Sequence, residues 1–315
     1  MTFRCASASG TDDAAAMVKL LAELAFGKIN LFLRVTGRRA DGYHELDSIF
    51  VPISLSDRIT IEVRLATTSS ITLRCNVASL GDPQSNLAAR AASAFMEEFG
   101  IFAHVMIDLE KTIPSGAGLG GGSSDAGTVL RMLTAMTSSM VHEPNDTREG
   151  LGKIAVGLGA DVPFFLDPRP SRVTGIGERI ESLDKFPTLH LVIAVPPVEV
   201  PTASVFKALT REGWSGAASA RDIEEIMRGN LTARHFVNDL EAPARQLYPQ
   251  IAKLKALLEE CGAMGSSMSG SGGSVFGLFP DIEAAGRGAA SLRTKAPEAR
   301  VFIAKSLDAQ STAQD

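Results

Sequence analysis

The sequence predicts an α+β fold in two domains, on three observations. Strand patterns crowd the first third of the chain. Later patterns interleave helices with strands without strict one-for-one alternation. The 315 residues also exceed the roughly 150 that serve as a prior for one domain. With 45% hydrophobic and 21% charged residues, there is apolar material for a core in each half.

Ile29, Leu31, Leu33 and Val35 alternate and predict a strand, with Lys28, Asn30 and Arg34 on its other face. The polar stretch Thr36–Glu45, with Gly37 and the pair Asp41-Gly42, reads as a turn or loop. Two further strands are predicted at Ser48–Leu55 and Arg58–Leu65. Asn86 caps a helix from about Leu87 to Phe99, and a strand follows at His104–Leu109. A glycine-rich run then leads into a helix expected from Ser124 to Met136. Another helix, near Arg148–Leu158, precedes the turn Gly159–Pro163.

In the later half, strands are predicted near Leu189–Val195 and Val301–Lys305. Helices are predicted at Thr202–Arg211, Arg221–Arg228, Glu241–Glu260 and Ile282–Leu292. Pro168, Pro170 and Pro187 mark a boundary zone. The expected division is 19–180 and 181–308, flanked by tails at 1–18 and 309–315. The organised pattern begins only after Met17.

A net charge of −5 argues against a nucleic-acid partner, which calls for a basic face. It does not exclude an anionic small molecule held by backbone amides. No apolar run reaches the roughly 20 residues of a membrane span. Cys5, Cys75 and Cys261 are too scattered for a disulfide framework, as suits a reducing compartment. The expectation is a cytoplasmic protein, monomer or homodimer.

The strongest local signal is Pro114-Ser115-Gly116-Ala117-Gly118-Leu119-Gly120-Gly121-Gly122-Ser123-Ser124, between a strand and a helix. Glycine permits positive φ and close backbone approach to a ligand, and a helix start offers free amides and a positive dipole end. A flexible linker would be more polar and would not sit between two regular elements. The spacing Gly116-x-Gly118-x-x-Gly121 matches a dinucleotide fingerprint, but no second strand ends in an acid near Glu143. A Walker loop is excluded because no Gly-Lys-Ser/Thr follows. What remains is a third kind of phosphate cradle.

Other residues are ambiguous by themselves. Asp161 in its tight turn suits either an Asx-turn or a catalytic carboxylate. Lys28 could be a solvated strand lysine. Phe206 fits core packing at helical spacing as well as a ligand wall. Tyr43 and His44 in a polar loop are poor core candidates. Gly265–Gly273 reads as a tight turn against the phosphate loop, with its first residues, Gly265–Ser267, also suiting a flexible surface loop.

Six segments resemble the motifs of the GHMP kinases, in the expected order: Ala25–Leu31, Gly37–Glu45, Lys111–Ser124, Gly157–Pro163, Gly175–Glu178 and Ser269–Gly272. The resemblance implies an N-terminal domain like ribosomal protein S5 domain 2 and a ferredoxin-like C-terminal domain. It implies transfer of a phosphoryl group from ATP, with Mg²⁺, to an alcohol. The Asp41-Gly42-Tyr43-His44 element points to the branch whose acceptor is a cytidine-diphosphate-linked sugar alcohol of isoprenoid biosynthesis.

By the same resemblance Lys28 and Asp161 are catalytic, Pro114–Ser124 binds ATP, and Ser124 ligates the metal. Asn30, Tyr43, His44, Thr202, Phe206, Ser269, Gly270 and Gly272 line the acceptor. The chain departs from the family at Ser115, at Pro197, at Ser85 and at Gly127, where alanine is usual. Glycine at 127 costs up to about 1 kcal/mol of helix propensity and predicts a looser cradle.

Overall fold

The computed structural model describes residues 18–138 and 144–308, side chains excepted at 144–146. Of the expected tails at 1–18 and 309–315, residues 1–17 and 309–315 lie outside the described residues, and Val18 is already strand. The chain runs through β1 (Val18–Arg38), β2 (His44–Leu65), β3 (Ser70–Cys75), α1 (Leu87–Glu98), β4 (Ala103–Glu110), α2 (Gly121–Thr137) and α3 (Pro144–Leu158). It continues with β5 (Ser171–Gly175), β6 (Arg179–Ser182), β7 (His190–Val195), α4 (Thr202–Ala208), α5 (Ala220–Met227) and α6 (Glu241–Leu247). Then follow α7 (Pro249–Glu260), β8 (Gly265–Met268), β9 (Val275–Phe279), α8 (Ile282–Lys295) and β10 (Arg300–Lys305).

Two compact units interleave along this order. One holds the described residues up to Ala25, then Ser56–Thr112 and Gly121–Asp167. The other holds Phe26–Leu55, Ile113–Gly120 and the described residues from Pro168 onward.

In the first unit the C-terminal half of β2 pairs antiparallel with β4, from Arg58↔Glu110 to Leu65↔Ala103. β4 in turn pairs parallel with β3. Alternation places Ile59, Ile61 and Val63 of β2 and Val105 and Ile107 of β4 in one core, with Phe95 of α1 and Val129 and Leu133 of α2. Asn86 starts α1 as expected: its side chain accepts from the Ala88 amide at 2.9 Å, which satisfies one of the free amides of the first turn.

The second unit holds the remaining strands of the sheet containing β2, β3 and β4, whose order is β3-β4-β2-β5-β6 with β1 pairing β2, and a four-stranded sheet of its own. The N-terminal half of β2 pairs antiparallel with β5, which pairs with β6. The other sheet is antiparallel in the order β10-β7-β9-β8. Its strand β7 is buried nearly throughout. Val192 and Ala194 belong to one core with residues of α7 and α8. Leu191, Ile193 and Val195 belong to another, with Ile29, Leu31, Ile49, Val51 and Ile53.

Several expectations are corrected. Ser48–Leu55 and Arg58–Leu65 form one strand, because Asp57 between them is buried and satisfied by the Thr112 amide and Lys111. β1 begins at Val18 and runs to Arg38, leaving a hairpin turn closed by Arg39 N–H donating to Tyr43 O at 2.8 Å. α2 begins at Gly121, three residues before the expected Ser124. Glu241–Glu260 is two helices, since Pro249 has no amide to donate and opens α7. Gly265–Ser267 is fully buried strand, not a flexible loop.

Gly127 makes a close contact. A Cβ there would lie 2.6 Å from Phe165 Cβ and 2.9 Å from its carbonyl oxygen. The residue is glycine so that Phe165, fully buried, can seat against α2. The helix propensity it forgoes is offset by that close packing.

Candidate active site

The glycine loop is fastened through its carbonyls. Ala117 O accepts from Ser274 N at 3.0 Å and from Ser274 Oγ at 2.6 Å. Gly118 O accepts from Ser269 Oγ at 2.9 Å, and Leu119 O accepts from Lys28 N at 2.9 Å. In a trans peptide the C=O of one residue and the N–H of the next point in opposite directions. The amides of Gly118, Leu119 and Gly120 therefore face away from these partners.

Positive φ at Gly116, Gly118 and Gly120 (66°, 74° and 71°), between residues of ordinary conformation, turns successive amides toward one side, as in an anion-binding nest. The buried side chains of Ala117 and Leu119 anchor the loop from below. Gly118 admits no side chain, since a Cβ would lie 2.1 Å from Ser269 O. Pro114 is half-buried and Ser115 exposed where the loop begins.

Gly121, Gly122, Ser123 and Ser124 form the first turn of α2, where the amides of Gly121, Gly122 and Ser123 have no carbonyl of the helix four residues before them. The positive end of the helix dipole lies there. Ser124 is buried.

Behind the loop, in the same unit, lies a buried polar cluster. Lys28 Nζ donates to Asn30 Oδ1 at 2.6 Å and sits 4.6 Å from the Phe50 ring centroid. Asn30 Nδ2 donates to Ser48 Oγ at 2.9 Å, and Asn30 N–H donates to Ser269 Oγ at 3.2 Å. Ser269 thus links β1 to the loop. Lys28 and Asn30 are 3% and 2% exposed, so Lys28 is not a solvated strand lysine. Of the turn read from the sequence at Gly265–Gly273, Gly265–Met268 is strand β8 and Ser269–Gly273 packs on the loop. Gly270 and Gly272 hold positive φ, Asn238 Nδ2 donates to Met268 O and Gly270 O, each at 2.8 Å, and the Thr202 and Ser271 hydroxyls are 2.7 Å apart.

A third group, also in this unit, is aromatic. His44 stacks on Phe206 with centroids 5.2 Å apart and 27° between planes. Trp214 meets His44 edge-on at 5.8 Å. Burial and the Arg38 charge hold the His44 imidazole below its ordinary pKa. Tyr43 stands 63% exposed.

Asp161 belongs to the other unit. It is half-buried in the turn between α3 and a short helical turn at Pro163–Leu166, closed by Val162 N–H donating to Gly159 O at 3.1 Å. Among the described residues no three His, Cys, Asp or Glu side chains gather as for a metal ion, and no helix is long and apolar enough to cross a membrane.

Sequence reasoning missed two features. Trp214 lies in a stretch without periodicity and gave no signal. The other is an ion cluster in the first unit: Lys111 Nζ lies 2.6 Å from Asp125 Oδ2 and also pairs with Asp57, all three side chains buried. Its signal was available, since Lys111 and Asp125 flank the glycine loop on either side.

Residues 86–167 match the family model described as the GHMP kinases N terminal domain, and residues 208–298 match that described as GHMP kinases C terminal. Both halves of an ATP-dependent small-molecule kinase are present. The 4-diphosphocytidyl-2-C-methyl-D-erythritol kinase of Syntrophotalea carbinolica is 40% identical over 86% of this chain and 94% of its own length. The kinase of the same name from Geobacter metallireducens is 38% identical over 92% of this chain and 100% of its own. A crystal structure of 4-(cytidine 5'-diphospho)-2C-methyl-D-erythritol kinase superposes with a TM-score of 0.78 at 38% identity, covering 91% of this chain and 99% of the other. Homoserine kinase from Cytophaga hutchinsonii, at 17% identity and a TM-score of 0.68 over 96% of this chain and 99% of its own, shares the fold. The chain belongs to the 4-diphosphocytidyl-2-C-methyl-D-erythritol kinase family of the GHMP kinases.

Proposed function

We propose that this protein transfers the terminal phosphoryl group of ATP to the 2-hydroxyl of 4-diphosphocytidyl-2-C-methyl-D-erythritol, in the non-mevalonate route to isoprenoid precursors. The observation that carries the reading is the fastening of the loop by its carbonyls, which leaves the amides of Gly118, Leu119 and Gly120 turned the other way. A fixed row of amides followed by a helix start suits a triphosphate tail. Phosphoryl transfer needs positioning and charge stabilisation more than covalent chemistry.

In this reading Pro114–Ser124 holds the ATP phosphates. Asp161 accepts the proton of the acceptor hydroxyl. Lys28, positioned through Asn30, holds the acceptor oxygen and favours its anionic character. Burial strengthens such an electrostatic effect, because little water screens the ammonium. His44 reads the cytosine edge, Tyr43 and Phe206 flank the ring, and Thr202, Ser269, Gly270 and Gly272 border the acceptor.

When bound, Mg²⁺ neutralises charge on the transferring phosphates. Magnesium keeps phosphate and water oxygens in its shell and takes few protein ligands. The hydroxyl of Ser124, one of the two in the first turn of α2, would hold the ion and fits that demand. The protein acts in the cytoplasm, as monomer or homodimer, with no nucleic-acid or membrane partner.

The test is ATP consumption with a panel of alcohols. Turnover should require the cytidine-linked methylerythritol. Equal turnover with homoserine, mevalonate or free methylerythritol would overturn the assignment of the acceptor.

A further inference from the structure

From the aromatic contacts we infer that Trp214 is a specificity-determining positioning residue, holding His44 in the orientation that selects the nucleobase; this rests on the nucleobase role proposed for His44. Three observations carry it. His44 is held on two sides, stacked on Phe206 at 5.2 Å and met edge-on by Trp214 at 5.8 Å. An offset stack and an edge contact are the favoured geometries of aromatic pairs, and together they leave a ring little freedom to rotate.

The backbone that presents Trp214 is anchored by two buried carboxylates. Asp239 accepts from the Ser215 amide at 2.8 Å and from the Ser215 hydroxyl, and the same carboxylate accepts from the Val35 amide of β1 at 2.7 Å. Asp47 accepts from the Ala218 amide at 2.8 Å while pairing bidentately with Arg172, both bonds 2.9 Å. Asp47 lies on β2, three residues beyond His44. One carboxylate therefore ties the strand carrying His44 to the segment carrying Trp214. Asp47 and Asp239 are 1% and 7% exposed, and buried charges must be well paired to be tolerated, so the segment is fixed where a surface loop would be free.

Third, Trp214 Nε1 is buried and has no hydrogen-bond partner among the described residues. A buried donor without an acceptor is costly in a purely structural side chain. It suits a wall completed by an acceptor-bearing ligand. A core tryptophan would be expected to have its N–H satisfied.

The chain has a single tryptophan, so its emission reports this contact directly. Titration of the wild type with the cytidine-linked methylerythritol should shift or quench that emission, and titration with ATP should not. Trp214→Ala should raise KM for the cytidine substrate about three- to tenfold, the range for loss of one aromatic pair. It should also narrow the preference for cytidine over the matching uridine compound. KM for ATP and kcat should stay within about twofold, and Trp214→Phe, which keeps the edge contact and loses the indole N–H, should recover part of the loss.

The inference falls if emission ignores the substrate under turnover conditions, or if Trp214→Ala leaves KM unchanged. It falls equally if all kinetic parameters decline together, or if phenylalanine fails as badly as alanine. Should the alanine variant not fold, the wild-type titration and Trp214→Phe still decide. A wild type that ignores cytidine compounds sinks the functional reading instead.

Discussion

Lys111 Nζ lies 2.6 Å from Asp125 Oδ2, and these two residues are the charged groups at either end of the glycine loop. Asp57 completes the cluster from β2. Burial pushes the Asp125 carboxyl up, Lys111 pulls it back and Asp57 pushes it up again, leaving it at about 7. Burial alone would depress the Lys111 ammonium, but the two carboxylates hold it above its ordinary value. Two acids thus share one base in an interior where an unmatched charge is costly.

Removing the base should be worse than removing one acid. Lys111→Met should lose about 3–5 kcal/mol, the cost of leaving a buried charge unpaired, read as the urea midpoint. Asp125→Asn should lose less. The raised Asp125 pKa adds a pH signature. The folded state holds a proton that the unfolded chain releases near 3.8, so this group's stabilisation is full below that value. It is lost as pH rises toward about 7. Relative to wild type, Asp125→Asn should therefore be more stable at about pH 8 than at about pH 5. Parallel urea curves at the two pH values check this; a constant difference between the proteins would contradict it.

At Gly127 two effects oppose each other. Alanine would gain up to about 1 kcal/mol of helix propensity. It would also meet Phe165 at 2.6 Å, and overpacking a well-filled core costs about 1–3 kcal/mol. Packing wins, so Gly127→Ala should lower Tm by a few degrees. Differential scanning calorimetry measures this, and a raised Tm would show that α2 and the Pro163–Leu166 turn separate easily.

Asp161→Asn should lower kcat by orders of magnitude while ATP affinity stays within a few-fold. Asparagine keeps the shape and loses the ability to take a proton. Single-turnover rates with ATP binding measured separately make the comparison. Turnover within a few-fold of wild type would remove Asp161 as the base.

His44 should stay neutral to a lower pH than a free imidazole, because burial first, and then Arg38, disfavour its cation. KM for the cytidine substrate should then be flat from about pH 8 down through about 6.5 and rise only below. The stability sign agrees. The unfolded chain binds a proton that folded His44 refuses, so this group's contribution grows with pH through that range and is lost in acid. His44→Ala should abolish the low-pH rise in KM. A wild-type rise starting above pH 7 would contradict the assignment.

Much of the fold was legible because local forces decided it. The alternation Ile59, Ile61, Val63 became a half-buried strand, and Asn86 capped α1. The strand–glycine–helix order around Pro114–Ser124 also appeared as read. The failures came where distant partners overrode local signals. Ser56-Asp57 falls between two predicted strands, yet Asp57 is buried in continuous strand because Lys111 and the Thr112 amide satisfy it. Gly265–Ser267 looked flexible, yet pairing with β9 makes it strand.

The kind of loop was readable from the residues alone, since glycine placement and the missing Gly-Lys-Ser/Thr are local facts that no partner can alter. Which way the loop faces was set by folding. That depends on Ser269, Ser274 and Lys28, far away in the chain, taking the loop's carbonyls. Folding also decided that Trp214 meets His44, because the anchors Asp47 and Asp239 act across long separations that no spacing rule encodes.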